Sequence, residues 1–486
     1  MRHRNAAHRI QAIATFLLLA LFLGGCQKLT LRKQVSLGEI YNDLAQLPDT
    51  ERNPVIVIPG ILGSRLTDSQ TGEIAWGESG LGGASPLKTR SLTELALPMQ
   101  QGVALHQLHD QVQPDGPLDQ FVFRVAGIPL KVNAYAQILE TLGVGGYRDR
   151  HFHGESRFNE VDYGDEHFTC FQYSYDWRRD VSESAARFAQ YIDQVDAYTR
   201  QKYLERYGIE NPHLKYDIVA HSMGGLVARY FLRYGNQPLP DDGSMPVLTW
   251  AGAEKIGRVF LVATPNLGST QAISELKEGM RLIPPLPKFP PAVIGTMPSV
   301  YQLLPRKRDM PVVFCERERV PNMFSPHIWK FLEWGLADPK QDKVLKQLMP
   351  YCSPDQRRQI ALDHQAKCLA RAEQFHRSLD FPADLPPCLE MHLFAGDAKR
   401  TLHQLCIDPA SRKITNRIKT PGDGTVTRTS TLSERKATNH GGVTRMIPWT
   451  NETFLSTNHL GLTRDRTFVD NVLDQLLARP RAYTPE

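Results

Sequence analysis

"IVAHSMGGLVARY", residues 218–230, carries an apolar run without a break into a serine flanked by small residues and then into a helical pattern. The run reads as a strand buried on both faces. The spacing of Leu226, Val227, Tyr230, Phe231 and Tyr234 reads as a helix stopping at Gly235. Ser222 at the junction is either the N-cap of that helix or a nucleophile held on a strained strand-to-helix turn. A turn that tight needs tiny side chains two positions before and two after the serine, and these are Ala220 and Gly224. N-capping accounts for Ser222 but not for the small residues around it. The usual pattern is G-x-S-x-G, so Ala220 departs from it by one methyl group. On this reading His221 points away from its neighbour and is not the base, while the Met223 N–H at the helix N-terminus can donate to an oxyanion.

The rest of the chain repeats the alternation. "NPVIVIPGILGSRL" (53–66) holds a β-branched run that stops at Pro59-Gly60, and "KYDIVA" (215–220), "RVFLVAT" (258–264), "PVVFC" (311–315) and "MHLFAG" (391–396) are runs of the same kind. Between them, "SESAARFAQYIDQVDAYTRQKYLERYG" (182–208) has an apolar face, with Ser182 as candidate N-cap and Gly208 as stop. Strands alternating with helices predict an α/β fold with a mainly parallel central sheet flanked by helices, over residues 53–486. Three stretches break the rhythm and are expected to form caps or lids: about 67–130, 270–310 with the proline-dense "PPLPKFPPAVIGTMP" (284–298), and 320–390.

The 486 residues are 41% hydrophobic and 22% charged, the composition of a globular chain. The formal charge of +5 includes Arg2, Arg4 and Arg9 in residues 1–25, which carry no acid. Removing those three leaves +2, too small a balance to point to nucleic acid. The opening "MRHRNAAHRIQAIATFLLLALFLGGCQ" has a basic start and an apolar stretch too short to span a bilayer, as in an export signal. Leu23-Gly24-Gly25-Cys26 resembles a bacterial lipoprotein box. The expectations are a signal peptide over 1–25, lipidation at Cys26, a tether over 26–52, and a lipid-anchored body in the bacterial cell envelope, at the outer membrane facing the periplasm. An ordinary signal peptide with an incidental cysteine is the alternative. Six further cysteines in an oxidising compartment favour disulfides, with Cys352–Cys368 and Cys388–Cys406 as the pairs nearest in sequence. No spacing suggests a metal site, and no cofactor is expected.

A serine hydrolase of this topology continues in chain order serine, acid, histidine. "PGDGTVTRTS" (421–430) sets Asp423 between two glycines, in a loop where backbone N–H groups can hold a carboxylate; a plain turn aspartate would look the same. "STNHLGLTRDRTFVDNVLDQLL" (456–477) sets His459 before an amphipathic last helix. His440 in "ATNHGG" is the rival base.

Together these segments resemble the lecithin:cholesterol acyltransferase family of α/β-hydrolases, through "PVIVIPGILGSRL", "YSYDWRRD" (173–180), "AHSMGGLVARYFL", "VATPNLGS" (262–269), "MPSVYQLLP" (297–305), "GDGTV" and "NHLGL" in that order. The resemblance implies Ser222 as nucleophile, Asp423 as acid and His459 as base, with an oxyanion hole from the N–H groups of Met223 and Ile61. It implies a serine esterase or O-acyltransferase acting on acyl lipids, such as a phospholipase A, working at a membrane surface. Residues 320–390 have no counterpart among those segments. Two other functions fit the same residues: a non-catalytic lipid-binding envelope lipoprotein, and an amidase or peptidase on the same fold.

Overall fold

Runs of Val, Ile and Phe with no polar break must bury both faces, and the computed structural model shows them stacked side by side. It describes residues 36–77, 89–118, 120–125, 128–133, 136–149, 167–281, 287–315, 320–436 and 443–478. The signal segment, Cys26 and His440 lie outside the described residues. Six strands form the central sheet: β1 (Val55–Ile58), β2 (Cys170–Gln172), β3 (Tyr216–His221), β4 (Ile256–Val262), β5 (Glu390–Gly396) and β6 (Asn451–Leu455). All pair in parallel, in the order β6-β5-β4-β3-β1-β2. Every residue of β1 and β3 is buried, as strands covered by helices on both faces require.

That order decides where a ligand can enter. From β1 the chain moves to β2 on one side, then crosses to β3 on the other, so the direction of winding reverses between β1 and β3. The loops leaving the carboxyl ends of these two strands therefore diverge and open a crevice. The loops in question are Pro59-Gly60-Ile61 and the junction at Ser222.

Two strands escape the sequence pattern. β2 is only three residues long, and β6 is a polar edge strand whose burial is partial until Leu455. The apolar "PVVFC" is a strand, Val312–Phe314, but it stands outside the central sheet. It pairs in parallel with Lys399–Asp408, which is hairpinned to Lys413–Gly422. This second sheet corrects the disulfide expectation. Val313 is the pairing partner of Cys406, so the strands bring Cys315 within 5.6 Å of Cys406, Cα to Cα, and these two are bonded. Cys352 and Cys368 are free because the helix Pro354–Asp380 intervenes, and 14 residues of helix separate its ends by about 20 Å. Cys388 is free and exposed.

The helices follow their amphipathic faces: α1 (Val181–Tyr207), α2 (Met223–Tyr234), α3 (Pro354–Asp380) and α4 (Arg466–Leu473). Gly208 ends α1 with φ 69°, a left-handed turn that suits glycine. The N-cap of α1 is Asp180, two residues before the serine read from the sequence. Asp180 Oδ1 accepts from the Ser182 N–H at 2.7 Å, the Ser182 hydroxyl at 2.8 Å and the Gln302 amide at 2.7 Å. Its Oδ2 accepts from Arg371 Nε of α3 at 2.6 Å. One fully buried carboxylate thus ties α1, the segment around Gln302 and α3 together.

The stretches expected to form caps differ in kind. Within 67–130, Ile74–Trp76 and Val112–Pro117 flank Ser64–Asp68 in a small antiparallel sheet, and Gln120–Val125 hairpins with Ile128–Asn133. The described part of the proline-dense stretch is packed inward, with Phe289, Val293, Ile294 and Met297 all buried in the main core. Residues 320–390 supply α3 and shorter helices that cover α2 and its neighbours.

Asp180→Ala takes from the buried Arg371 its close carboxylate and leaves only the exposed Asp241 at 3.7 Å, a loss of about 3 kcal/mol in unfolding free energy. Ser182→Ala removes one hydroxyl hydrogen bond and should cost only about 1 kcal/mol. Urea midpoints at constant m-value measure both, and equal losses would contradict Asp180 as the cap.

Candidate active site

Ser222 follows the last residue of β3 directly and precedes the first residue of α2. Its backbone has φ 52° and ψ −124°, a strained conformation for a residue with a side chain. Its side chain makes no capping hydrogen bond to the helix, so the N-cap reading of this serine fails. The Ser222 N–H donates to Val262 O at 2.8 Å, which fastens the turn to β4. Small neighbours are required because the backbone passes so close. A Cβ on Gly224 would come within 2.4 Å of Pro59 O and 2.5 Å of Ile58 O, and one on Gly225 within 2.8 Å of Thr264 Cβ. Gly224 was expected to be small for this reason. Gly225 serves equally, and the second glycine of "MGG" was the signal for it.

The Ser222 hydroxyl lies 2.9 Å from His459 Nε2, and His459 Nδ1 lies 2.7 Å from Asp423 Oδ2. The three residues are contributed by the turn after β3, the end of the Lys413–Gly422 strand and the loop after β6. Asp423 is 1% exposed and Ser222 8%. Asp423 Oδ1 accepts from the N–H groups of Thr425 at 2.8 Å and Val426 at 2.7 Å, and its own carbonyl accepts from the His459 N–H at 3.0 Å. Burial by itself raises the Asp423 carboxyl, but the adjacent His459, the hydrogen bond to it and the two backbone N–H groups outweigh burial and hold it below the usual carboxylate value. An ionised Asp423 fixes the His459 proton on Nδ1, which leaves Nε2 as acceptor for the serine hydroxyl.

Asp423 reaches this position because β5 ends in Gly396. A Cβ there would lie 2.6 Å from Asp423 Cβ. Nothing in the local sequence around Gly396 signals that need, since the partner is 27 residues further on.

His221 Nε2 lies 3.1 Å from the His459 carbonyl oxygen, and the two rings sit 4.9 Å apart. Burial, and then the proximity of His459, push its pKa down to about 3. At neutral pH His221 is therefore an uncharged donor that holds the His459 loop without adding a second charge.

The other wall of the crevice is the turn after β1. The Gly63 N–H bonds to Gly60 O at 3.1 Å, with Ile61 and Leu62 between them and Leu62 at φ 68°. "YSYDWRRD" braces this turn. Tyr175 donates from its hydroxyl to Pro59 O at 2.8 Å, and Trp177 donates from its indole to Ser64 O at 3.2 Å. Trp76 donates to Leu62 O at 3.0 Å. Arg178, fully buried, pairs with Asp176 and Asp110 at 2.8 Å each and locks the brace to the small antiparallel sheet. Ile61 and Leu62 are partly exposed on the turn, while Trp76 and Met223 are buried. Met223 is the first residue of α2, so its N–H has no intrahelical carbonyl to serve. Among the described residues no cluster of three His, Cys, Asp or Glu side chains could hold a metal ion.

The depressed pKa of His221 makes stability fall on acidification. Below about pH 6.5 the unfolded chain takes up a proton that the folded chain refuses until about pH 3, so folding loses up to about 2 kcal/mol between pH 6.5 and 5 from this residue. His221→Gln keeps a donor for the His459 carbonyl and should reduce that fall by a like amount. Urea unfolding of both proteins at pH 7 and pH 5 tests it, and an unchanged pH dependence would refute it.

The family model described as lecithin:cholesterol acyltransferase matches residues 159–386. The match takes in the elbow at Ser222 and continues through the helical region 320–386 that the segment-by-segment resemblance left without a counterpart; it stops short of Asp423 and His459. No curated protein sequence matches the chain. Among solved structures, "The crystal structure of Tle4-Tli4 complex" aligns over 88% of this chain and 98% of that one, with TM-score 0.55 and 15% identity, a likeness of fold. Phospholipase PlaB from Legionella pneumophila aligns over 63% of this chain and 55% of that one at 12% identity, with TM-score 0.26, and lipase 1 from Pelosinus fermentans over 54% and 71% at 14% identity, with TM-score 0.24. Those two scores are too low to carry an argument. The family match takes in the strained serine and the fold likeness runs through most of the chain, so the chain is similar to lecithin:cholesterol acyltransferase over residues 159–386 and has an α/β-hydrolase fold.

Proposed function

We propose that this protein is a serine esterase or O-acyltransferase of acyl lipids, with Ser222 as nucleophile, His459 as general base and Asp423 as the acid that orients it. The observation that carries the reading is the hydrogen-bonded chain from the Ser222 hydroxyl through both His459 nitrogens to Asp423. The family match supports a lipid ester as substrate.

In the proposed reaction, Ser222 Oγ attacks the ester carbonyl as its proton passes to His459 Nε2. Asp423 keeps the imidazole in the productive tautomer and stabilises the imidazolium. The carbonyl oxygen becomes an oxyanion, which the N–H groups of Met223 and Ile61 receive at the crevice between β1 and β3. His459 then protonates the departing alcohol, leaving an acyl-serine. Water entering in its place gives a phospholipase A type of hydrolysis, and a lipid alcohol gives acyl transfer. Ile61 and Leu62, partly exposed on the turn beside the serine, offer apolar surface to the acyl chain. Lipidation of Cys26 would tether the catalytic body to the envelope membrane that supplies the substrate, and mass spectrometry of the mature N-terminus tests it. Among the described residues no helix is long and apolar enough to cross a membrane.

Ser222→Ala should lower acyl release from phospholipid by roughly four orders of magnitude and abolish labelling by a fluorophosphonate probe. Labelling that survives the substitution would sink the assignment, and a wild-type protein that never labels would favour a non-catalytic lipid-binding role. Ile61→Pro removes one oxyanion donor at a turn position that accepts proline, so kcat should fall about 10²–10³-fold with KM little changed. Matched ester and amide substrates compared on the wild type separate lipid esterase from amidase.

A further inference from the structure

A second cavity lies away from the serine. It has a volume of about 210 Å³, against the roughly 10–15 Å³ that admits one water. Its walls come from the second half of α2, the chain just beyond α3, the start of β5 and the antiparallel pair Glu434–Lys436 and Val443–Arg445. Arg233 stands 11 residues beyond Ser222 on α2, about 16 Å along the helix axis, and Met391 lines the cavity from the beginning of β5. This is the amino edge of the sheet, opposite the crevice that holds Ser222.

The lining pairs apolar surface with a group of arginines. Trp250, Phe381 and Leu385 supply one part, and Arg229, Arg233, Arg435 and Arg445 the other. Arg445 is paired with Glu452 at 2.9 Å. Asp380, the acid at the wall, is already engaged by Arg306 at 3.1 Å and Arg308 at 2.8 Å. Among the described residues no carboxylate lies within ion-pair distance of Arg229, Arg233 or Arg435. Arg229 and Arg233 are 6% and 8% exposed, so this is not solvated surface charge. Arg229 donates to Asn266 Oδ1 at 3.1 Å and Leu379 O at 3.2 Å, both neutral acceptors. Arg233 reaches the Phe381 carbonyl, lies 5.3 Å from the centre of the Trp250 ring, and has a buried Nε with no hydrogen-bond partner. Burial and the neighbouring Arg233 charge push the Arg229 guanidinium down to about 9. Buried positive charge of this kind is costly unless an anion offsets it.

We propose that this cavity binds a single-chain anionic amphiphile, whose carboxylate or phosphate head is held by Arg229, Arg233 and Arg435 while its chain lies against Trp250, Phe381 and Leu385. The guanidinium groups match the planar, multi-acceptor geometry of either head. A neutral ligand would satisfy the apolar wall but leave the charges as they are. Occupation would tie α2, which begins at Ser222, to the chain segment following α3.

The test uses the Ser222→Ala protein, so that it stands whether or not the chain hydrolyses lipids, with octanoate, octyl phosphate and octanol as ligands in calorimetric titration. Saturable binding of octanoate or octyl phosphate is expected, with octanol weaker by about tenfold and Arg435→Gln weakening the anion by about tenfold. Binding of octanoate alone assigns a fatty carboxylate, and binding of octyl phosphate alone a phospholipid-type head. Ala383→Trp fills the cavity without changing its charge and should abolish binding; Arg435→Gln, at an exposed position, decides the matter if the tryptophan is not accommodated. No saturation with either anion, equal affinity for octanol, or anion binding unchanged in both variants would overturn the proposal.

Discussion

The distance between α2 and the end of β1 governs everything at the carboxyl edge of this sheet. The first turn of the helix lies so close to the carbonyls of Ile58 and Pro59 that residue 224 has no room for a single carbon. That approach puts the helix N-terminus, with its unsatisfied N–H groups and positive end of the dipole, beside the turn at Ile61. It also forces the chain to pass from strand to helix in one residue, at a cost in backbone strain that Ser222 carries. A more distant helix would relieve the strain and dissolve the crevice. The same logic recurs twice nearby, where Gly225 admits Thr264 and Gly396 admits Asp423, so three glycines set how tightly the site can close.

Strain of this kind persists only where the surroundings over-determine it. Here the surroundings are polar and buried rather than merely apolar. Tyr175 and Trp177 hold the turn after β1 by its carbonyls, Arg178 anchors them to Asp110 on the adjoining loop, and Asp180, only two residues further along, fastens α1 to α3. Eight consecutive residues, 173–180, therefore brace both the turn after β1 and the helical layer. The segment is one of those that carry the family resemblance in the sequence, and its contacts are with carbonyl oxygens and charged side chains of the scaffold. Its contribution is rigidity of the turn after β1, which the proposed oxyanion hole at Ile61 would need.

What could be read from the sequence was what local physics dictates. β1, β3, β4 and β5 are long unbroken apolar runs, α1 and α2 have clear stripes and glycine stops, and Ser222 sits in a pattern whose small residues have no other explanation. Asp423 and His459 were legible through chain order and family resemblance, because neither carries a local signature beyond a turn. What escaped depends on partners remote in the chain. β2 is too short and β6 too polar to show as strands. "PVVFC" announces a strand without saying which sheet it joins, and the Cys315–Cys406 bond follows from that pairing. The sequence pointed to Ser182 as the cap of α1, and it is Arg371 and Gln302, arriving from elsewhere in the chain, that hold Asp180 in that place. The burial of Arg229 and Arg233 likewise has no local signal, because α3 and the chain beyond it supply the cover.

The histidines on either side of the elbow show why neighbouring groups of one type take different charge states. His459 faces an ionised carboxylate, so in the proposed reaction its protonation would create an ion pair that Asp423 is already arranged to receive. His221 is nearly inaccessible and meets a carbonyl oxygen, so its proton is spent on holding a loop. Had both imidazoles been able to charge, each would have opposed the other at a ring separation of 4.9 Å. Keeping the second one neutral leaves the full field of Asp423 to the first. The buried aspartate hydrogen-bonds the histidine that touches the serine and acts on His221 only through its weaker, more distant charge.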